Sequence, residues 1–383
     1  MNCIPIFYKS LFGSTASKFN MPVWDACWKA YENKQYLKSF ELLFDYINPE
    51  FNKKYISADK KSYKIPHGSI VVSINIDDNT ISVNAPFLNI PEKNAVALLR
   101  QITEINFNEL CLEQIFLRGR SLTFEYVCKI CEYNPNKLYS VFRQICLTGD
   151  KYDDKFISQF GAERITKPLI TPFKPETAEI CYRTVVNIIN EAFEYVKYFE
   201  NNRYFGWAWS MLASTMRKID YYAHPQGQFR YELEREISDM HSNRLNLSEI
   251  VTRAKAYLEK LLTTDKKSFI KDLYDIEVFI PFKRRSNLKD IQNNFQKAYE
   301  HIEKFFDGGD YIAAAMETLF CFYNLYYHND LQDDINAIIV NAMRHSSAKV
   351  WSEGTPILYE AISKIMRGDL TVKKGFFANF FGQ

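Results

Sequence analysis

The sequence predicts an α+β protein, with an antiparallel-sheet domain in its first half followed by an all-helical second half. Two observations carry this. Between residues 67 and 128 apolar side chains alternate with polar ones around tight polar turns, whereas beyond residue 176 they recur at helical spacing with no pair of strand-like runs. A third observation is the stretch Lys167-Pro168-Leu169-Ile170-Thr171-Pro172-Phe173-Lys174-Pro175 between them, whose three prolines in eight residues suit neither a helix interior nor a central strand.

Composition agrees. The 383 residues are 47% hydrophobic, and 48 Lys+Arg stand against 46 Asp+Glu, which argues for buried cores and against both disorder and polyanion binding. At this length two or three cores are expected. The 25 Tyr and 30 Phe outnumber the 13 Gly and 13 Pro, a balance that favours large side chains packed between regular elements. No uncharged apolar run is long enough for a membrane span, and Met1-Asn2-Cys3-Ile4-Pro5-Ile6-Phe7-Tyr8-Lys9 lacks the layout of a signal peptide, so a cytoplasmic protein with no integral membrane segment is expected. The eight scattered cysteines are then expected to be reduced and mostly buried.

In chain order, Trp24, Cys27, Trp28 and Tyr31, then Tyr36, Phe40, Leu43 and Phe44, describe a helical hairpin over 22–47. A polar, Lys-rich segment over 52–64 reads as connection. Ile70, Val72, Ile74 and Ile76 form one face of a strand, Asp77-Asp78-Asn79 the turn, and Ile81, Val83 and Ala85 the returning strand. A helix carries Ala95, Leu98, Leu99 and Ile102. A second hairpin runs over 110–128 through Arg118-Gly119-Arg120-Ser121, and two helices over 135–147 and 153–160 close the unit. The second half reads as helices over 176–201, 204–222, 229–240, 247–262, 267–274, 287–306, 311–327, 331–344 and 356–366, with 278–282 a short extended connection.

An aromatic residue, a polar turn and a Tyr five positions later recur as Tyr31 to Tyr36, Phe199 to Tyr204 and Phe306 to Tyr311. The third, continuing Tyr311-Ile312-Ala313-Ala314, resembles the junction of tetratricopeptide repeats, whose small residue after the Tyr lets two helices approach. Ser39 and Ala314 meet that requirement and Trp207 does not, so TPR-like hairpins are expected rather than a regular array.

From Ser69 to Ala162 the order of features, with Asn84-Ala85-Pro86-Phe87-Leu88-Asn89-Ile90-Pro91, the hairpin Leu117-Arg118-Gly119-Arg120-Ser121-Leu122-Thr123-Phe124 and the closing Phe160-Gly161-Ala162, resembles the type III secretion chaperone-like fold, especially its bacterial sensory transduction regulator branch. The resemblance implies a twisted antiparallel sheet with helices on one side, a fold often used to hold another protein and often dimeric. It transfers no functional residue. Typical members are small and acidic, whereas this chain is long, near neutral and extended by helices. The expected organisation is an arm and helical hairpin over 1–63, a chaperone-like domain over 64–166, a Pro-rich linker over 167–176, a TPR-like helical domain over 177–370 and a Phe-rich tail over 371–383.

The search for chemistry assigns no catalytic residue, metal or cofactor. Cys128 and Cys131 form a lone CxxC, and with Cys128 on an apolar strand face they read as buried structural thiols rather than a zinc or redox pair. None of His67, His224, His241, His301, His328 and His345 sits in a metal motif; Glu232 and Glu236 before His241 read as a solvated charged helix. Phosphate and nucleophile motifs are absent, and Lys283-Arg284-Arg285 is too isolated for nucleic-acid binding.

The features least like core are the termini. Phe376, Phe377, Phe380 and Phe381 crowd into six residues, and Phe7-Tyr8-Lys9-Ser10-Leu11-Phe12-Gly13 shares their pattern of two aromatics, two spacers, an apolar residue and Phe-Gly. Phe7, Phe12, Phe376, Phe377, Phe380 and Phe381 are therefore the candidate docking residues, for the chain's own helices, for a partner or subunit groove, or for a membrane surface. The function expected is a non-enzymatic adaptor or chaperone-like protein that binds another polypeptide, with a homodimer in view. The alternatives are an enzyme assembled from distant residues, such as Cys181 or Cys321 with His224 or His328, and a structural subunit of a larger assembly.

Overall fold

A computed structural model describes residues 2–11, 21–59, 61–77 and 79–370. The chain divides into two compact units: a sheet unit of Asn20–Pro172 with Tyr274–Phe282, and a helical unit of Met1–Phe19, Phe173–Leu273 and Lys283–Gln383. This is the α+β architecture expected, but two segments fall differently from the expected boundaries. Residues 2–11 belong with the helices, and 274–282 return to the sheet unit.

The sheet unit opens with the hairpin α1 (Met21–Glu32) and α2 (Tyr36–Ile47), followed by the single turn α3 (Phe51–Lys54). Strands β1 (Ser62–His67), β2 (Ile70–Ile76) and β3 (Thr80–Asn89) lead to α4 (Ala95–Asn108), then β4 (Gln114–Arg118), β5 (Ser121–Lys129), the long α5 (Pro135–Phe160), and the short β6 (Glu163–Arg164) and β7 (Ile170–Pro172). The strand order is β1-β2-β3-β5-β4, all antiparallel, with β6 on the far end of β3. Ile70, Val72, Ile74 and Ile76 are buried and their alternate neighbours are not, which is the period-two pattern realised. Asp77 shapes the next turn by accepting the N–H groups of Asn79 and Thr80.

Two expectations change here. The segment taken as connection, 52–64, runs into β1, whose Tyr63 and Ile65 are buried on one face while Lys64 points out; as an edge strand it also tolerates Pro66. The two closing helices are one, α5, since Gly149 does not break it. A Cβ at Gly149 would sit 3.0 Å from Ile70 Cδ1, so glycine is where the helix crosses closest to β2.

The hairpin shares the core of the sheet through rings: Phe44 stacks on Tyr63 at 4.4 Å between centroids and lies 6.0 Å from Phe279. Phe279 and Ile280 are buried in this core, and β8 (Tyr274–Ile276) pairs with β7. His67 anchors the returning segment. Its Nδ1 accepts the Phe279 N–H at 3.1 Å, which leaves the ring proton on Nε2, 3.4 Å from Asp150 Oδ2.

The helical unit contains α6 (Pro175–Asn201), α7 (Phe205–Ala223), α8 (Gly227–Asp239), α9 (Leu247–Thr263), α10 (Lys266–Lys271), α11 (Leu288–Asp307), α12 (Tyr311–His328), α13 (Asp333–Ser346) and α14 (Trp351–Arg367). Where no strand pair was expected, β9 (Arg284–Arg285) and β10 (Asn329–Asp330) make a two-residue parallel ladder. Helix α14 starts before Pro356, which lies inside the helix, in its second turn.

The three aromatic junctions link α1 to α2, α6 to α7 and α11 to α12, and they share one turn. Lys34, Arg203 and Gly309 adopt positive φ, and the next N–H bonds five residues back, Gln35 to Ala30, Tyr204 to Phe199 and Asp310 to Phe305. This shared geometry shifts the middle repeat by one residue. Phe205, not Tyr204, is equivalent to Tyr36 and Tyr311, and Ala208 then joins Ser39 and Ala314 as the small residue, all three fully buried.

Candidate polypeptide-binding groove

Residues 2–11 run over the helical unit with one antiparallel bridge, Cys3 to Val350, and their main chain is held by hydrogen bonds to backbone and side chains. Asn2 O accepts the Trp351 N–H, and Cys3 O accepts the Tyr195 hydroxyl at 2.7 Å. Ile4 donates to Lys349 O at 2.7 Å and accepts from Ala348 N–H at 3.1 Å. Phe7 N–H donates to Ser347 Oγ at 2.9 Å and Leu11 N–H to Tyr222 O at 3.4 Å. Such bonds hold a backbone whatever its side chains.

At the centre, both polar groups of Ile6 are read by one ion pair, the buried Lys218 and the half-buried Glu191. Glu191 Oε1 accepts its N–H at 2.8 Å, Lys218 Nζ donates to its carbonyl at 2.5 Å, and the two side chains meet at 3.2 Å. Burial pushes the Lys218 amine below the usual lysine range against the opposing pull of Glu191. Helix α7 is buried nearly all round, so Arg217, Lys218 and Asp220 had to find partners inside the unit. Arg217 bonds Asn324, Ala213 O and His241, and Asp220 accepts from Lys283 at 3.2 Å.

Side chains fill separate seats. Ile4 is buried against Gly354, where a Cβ would collide with it. Phe7 and Tyr8 each lie 6.0 Å, centroid to centroid, from Tyr221 and Tyr222, and Lys218 Nζ sits 5.3 Å over the Tyr8 ring. Ser10 Oγ is 3.2 Å from His224 Nε2, and Leu11 packs on the helical core. Burial, with the positive Lys283 nearby, drives the His224 pKa down to about 4 despite Asp220. Ile4, Pro5 and Phe7 border a small cavity of about 20 Å³ that Met211, Met316 and Met343 also line, side chains that repack readily around different shapes.

Of the residues the sequence singled out, Phe7 is in this groove; Phe12, Phe376, Phe377, Phe380 and Phe381 lie outside the described residues. Cys131 and Cys111 are exposed and Cys128 half-buried, which corrects the expectation of buried thiols at the CxxC: the pair spans the end of β5 and the turn after it, where the sheet face runs out. Cys181 and Cys321 are buried, and burial pushes both thiols up to about 12, far from the thiolate a nucleophile needs. Glu232 pairs with Lys260 at 2.7 Å and Glu236 with Arg235 at 2.8 Å. Among the described residues no cluster of His, Cys, Asp and Glu could hold a metal ion, and no helix is long and apolar enough to cross a membrane.

Ile4, Glu191, Lys218 and Gly354 were not singled out from the sequence, because their roles arise only when segments about 190, 210 and 350 residues apart meet. The available signal was the charged triplet Arg217, Lys218 and Asp220 in an otherwise uncharged helix. Comparison with protein-family models and with curated proteins finds no match to this chain.

Proposed function

We propose that the protein is a non-enzymatic polypeptide-binding protein, adaptor or chaperone-like, whose helical unit holds extended segments by their main chain. The observation that carries this is the Glu191–Lys218 pair bonded to both the N–H and the C=O of Ile6. Burying the Lys218 ammonium is costly, and here the pair it forms with Glu191 is spent on recognising peptide groups rather than a reacting centre. Residues 2–11 are on this reading the cis occupant of a site able to accept other extended segments. The chaperone-like resemblance of the sheet unit and the TPR-like junctions point to the same class of role.

The test uses the full chain carrying Ile4→Asp, which removes the buried anchor of the arm. A labelled peptide of residues 2–11 should bind this variant saturably by fluorescence anisotropy, and added Glu191→Gln and Lys218→Met should abolish binding. An Ile4→Asp chain that is folded by circular dichroism yet binds no peptide would refute the proposal, as would undiminished binding after Glu191→Gln and Lys218→Met.

A further inference from the structure

The seats along residues 4–11 differ in what they admit. Ile4 is enclosed, and its side chain takes the space that a Cβ on Gly354 would need, with Ser346 O 3.1 Å from the same point, so a branched aliphatic fits there and a ring does not. Phe7 and Tyr8 meet the rings of Tyr221 and Tyr222, and Lys218 Nζ stands 5.3 Å from the Tyr8 centroid, an arrangement that only aromatic side chains complete. Leu11 packs on the helical core. Lys9 and Ile6 are exposed, Ile6 by 41% although its main chain is bonded on both sides, so these two positions leave the side chain unread.

His224 sets the demand at position 10. One ring nitrogen bonds the Tyr221 backbone carbonyl, and Ser10 Oγ lies 3.2 Å from the other, Nε2. A ring that donates to a carbonyl keeps a lone pair on its second nitrogen while neutral, and burial beside the Lys283 and Arg230 charges keeps His224 neutral. This seat therefore asks for a hydroxyl that donates. Resting on the groove reading above, we infer that the groove selects one class of polypeptide segment: a branched aliphatic residue, two spacers, two adjacent aromatics, one spacer, a hydroxyl residue and an apolar one. The arm from Ile4 to Leu11 is one member of this class, and a partner is captured when its own match to the pattern displaces the arm.

The experiment measures, by fluorescence anisotropy on the full chain carrying Ile4→Asp, the affinity of labelled peptides of residues 2–11 with single substitutions. Ile4→Ala, Ile4→Trp, Phe7→Ala and Tyr8→Ala should each weaken binding by about tenfold or more. Ser10→Ala should weaken it by about threefold, and Ser10→Thr should restore it. Ile6→Ala and Lys9→Ala should change it by less than about twofold. Ile6→Pro, which removes the N–H bonded to Glu191, should abolish it. The same order should appear in cis: placed in the otherwise unsubstituted chain, Tyr8→Ala should speed alkylation of the half-buried Cys3, whose Sγ is 3.6 Å from the Tyr195 hydroxyl, and Lys9→Ala should not. Equal affinities for the Ile4, Phe7, Tyr8 and Ser10 variants, with Ile6→Pro still inactive, overturn the selectivity and leave the groove reading standing. Undiminished binding of Ile6→Pro overturns the main-chain reading and leaves the selectivity. No binding of the unsubstituted peptide, with Cys3 alkylated at one rate in every chain, ends both.

Discussion

The side chain of Ile4 occupies the space that a Cβ on Gly354 would need, and Ser346 O lies only 3.1 Å from the same point. Glycine at this position is therefore a requirement of the arm, not of the helix, since Gly354 sits within α14. Gly354→Ala should destabilise the helical unit by about 1–3 kcal/mol through overpacking. Ile4→Ala alone should cost about 2–5 kcal/mol. The double variant should cost clearly less than the sum, because the smaller side chain at position 4 makes room for the new methyl. Urea denaturation of the four proteins checks this, and strict additivity would count against the contact.

The Glu191–Lys218 pair supports a second expectation. Lys218 is 5% exposed and Glu191 half-buried, so Lys218→Met leaves the Glu191 carboxylate without its partner and should cost about 1–3 kcal/mol. Adding Glu191→Gln keeps an acceptor for the Ile6 N–H while removing the stranded charge, and should recover part of that loss. Equal denaturation midpoints for the single and double variants would show that the pair does not act as a unit.

His224 makes acid stability a readout of the same region. Its folded pKa is down at about 4, against an ordinary 6.5, because of burial and the Lys283 and Arg230 charges, with Asp220 opposing. The unfolded chain thus takes up a proton between pH 6.5 and 4 that the folded chain refuses. Stability from this group is complete above about pH 6.5 and falls as pH drops toward 4, by up to about 3 kcal/mol. His224→Asn should flatten that limb of a melting-temperature profile. An unchanged slope would mean the ring is not the group responsible.

How far the sequence could be read follows from the range of each interaction. The β2–β3 hairpin and most helices of the second half depend on local periodicity and lie where it puts them; α10 ends at Lys271, short of the expected 274, and α14 starts at Trp351, ahead of the expected 356. The middle aromatic junction was one residue out, because Tyr204 and Phe205 are both aromatic and only the turn, with Arg203 at positive φ, says which one starts the helix. The gap expected between helices 135–147 and 153–160 is helical, with Gly149 where α5 passes closest to Ile70. Phe279 and Ile280 carried no sign that they would return to a core built more than 100 residues earlier, and the groove residues had even less local trace. Contacts of large sequence separation decide these positions, and no local pattern encodes them.

The return of Phe279 is itself testable. Its ring lies 5.0 Å from Phe142 and 5.7 Å from Phe51, centroid to centroid, so Phe279→Ala should open a cavity in the sheet unit and cost about 3–5 kcal/mol. The cost should appear in the unfolding of the sheet unit. Cys27 and Cys146, buried in that core, should become reactive toward a thiol reagent at lower urea than in the unsubstituted chain, while the exposed Cys111 and Cys131 react at once in both. Cys181 and Cys321, buried in the helical unit, serve as the internal standard. If they become reactive at the same lowered urea as Cys27 and Cys146, the 274–282 segment stabilises the whole chain rather than the core it enters.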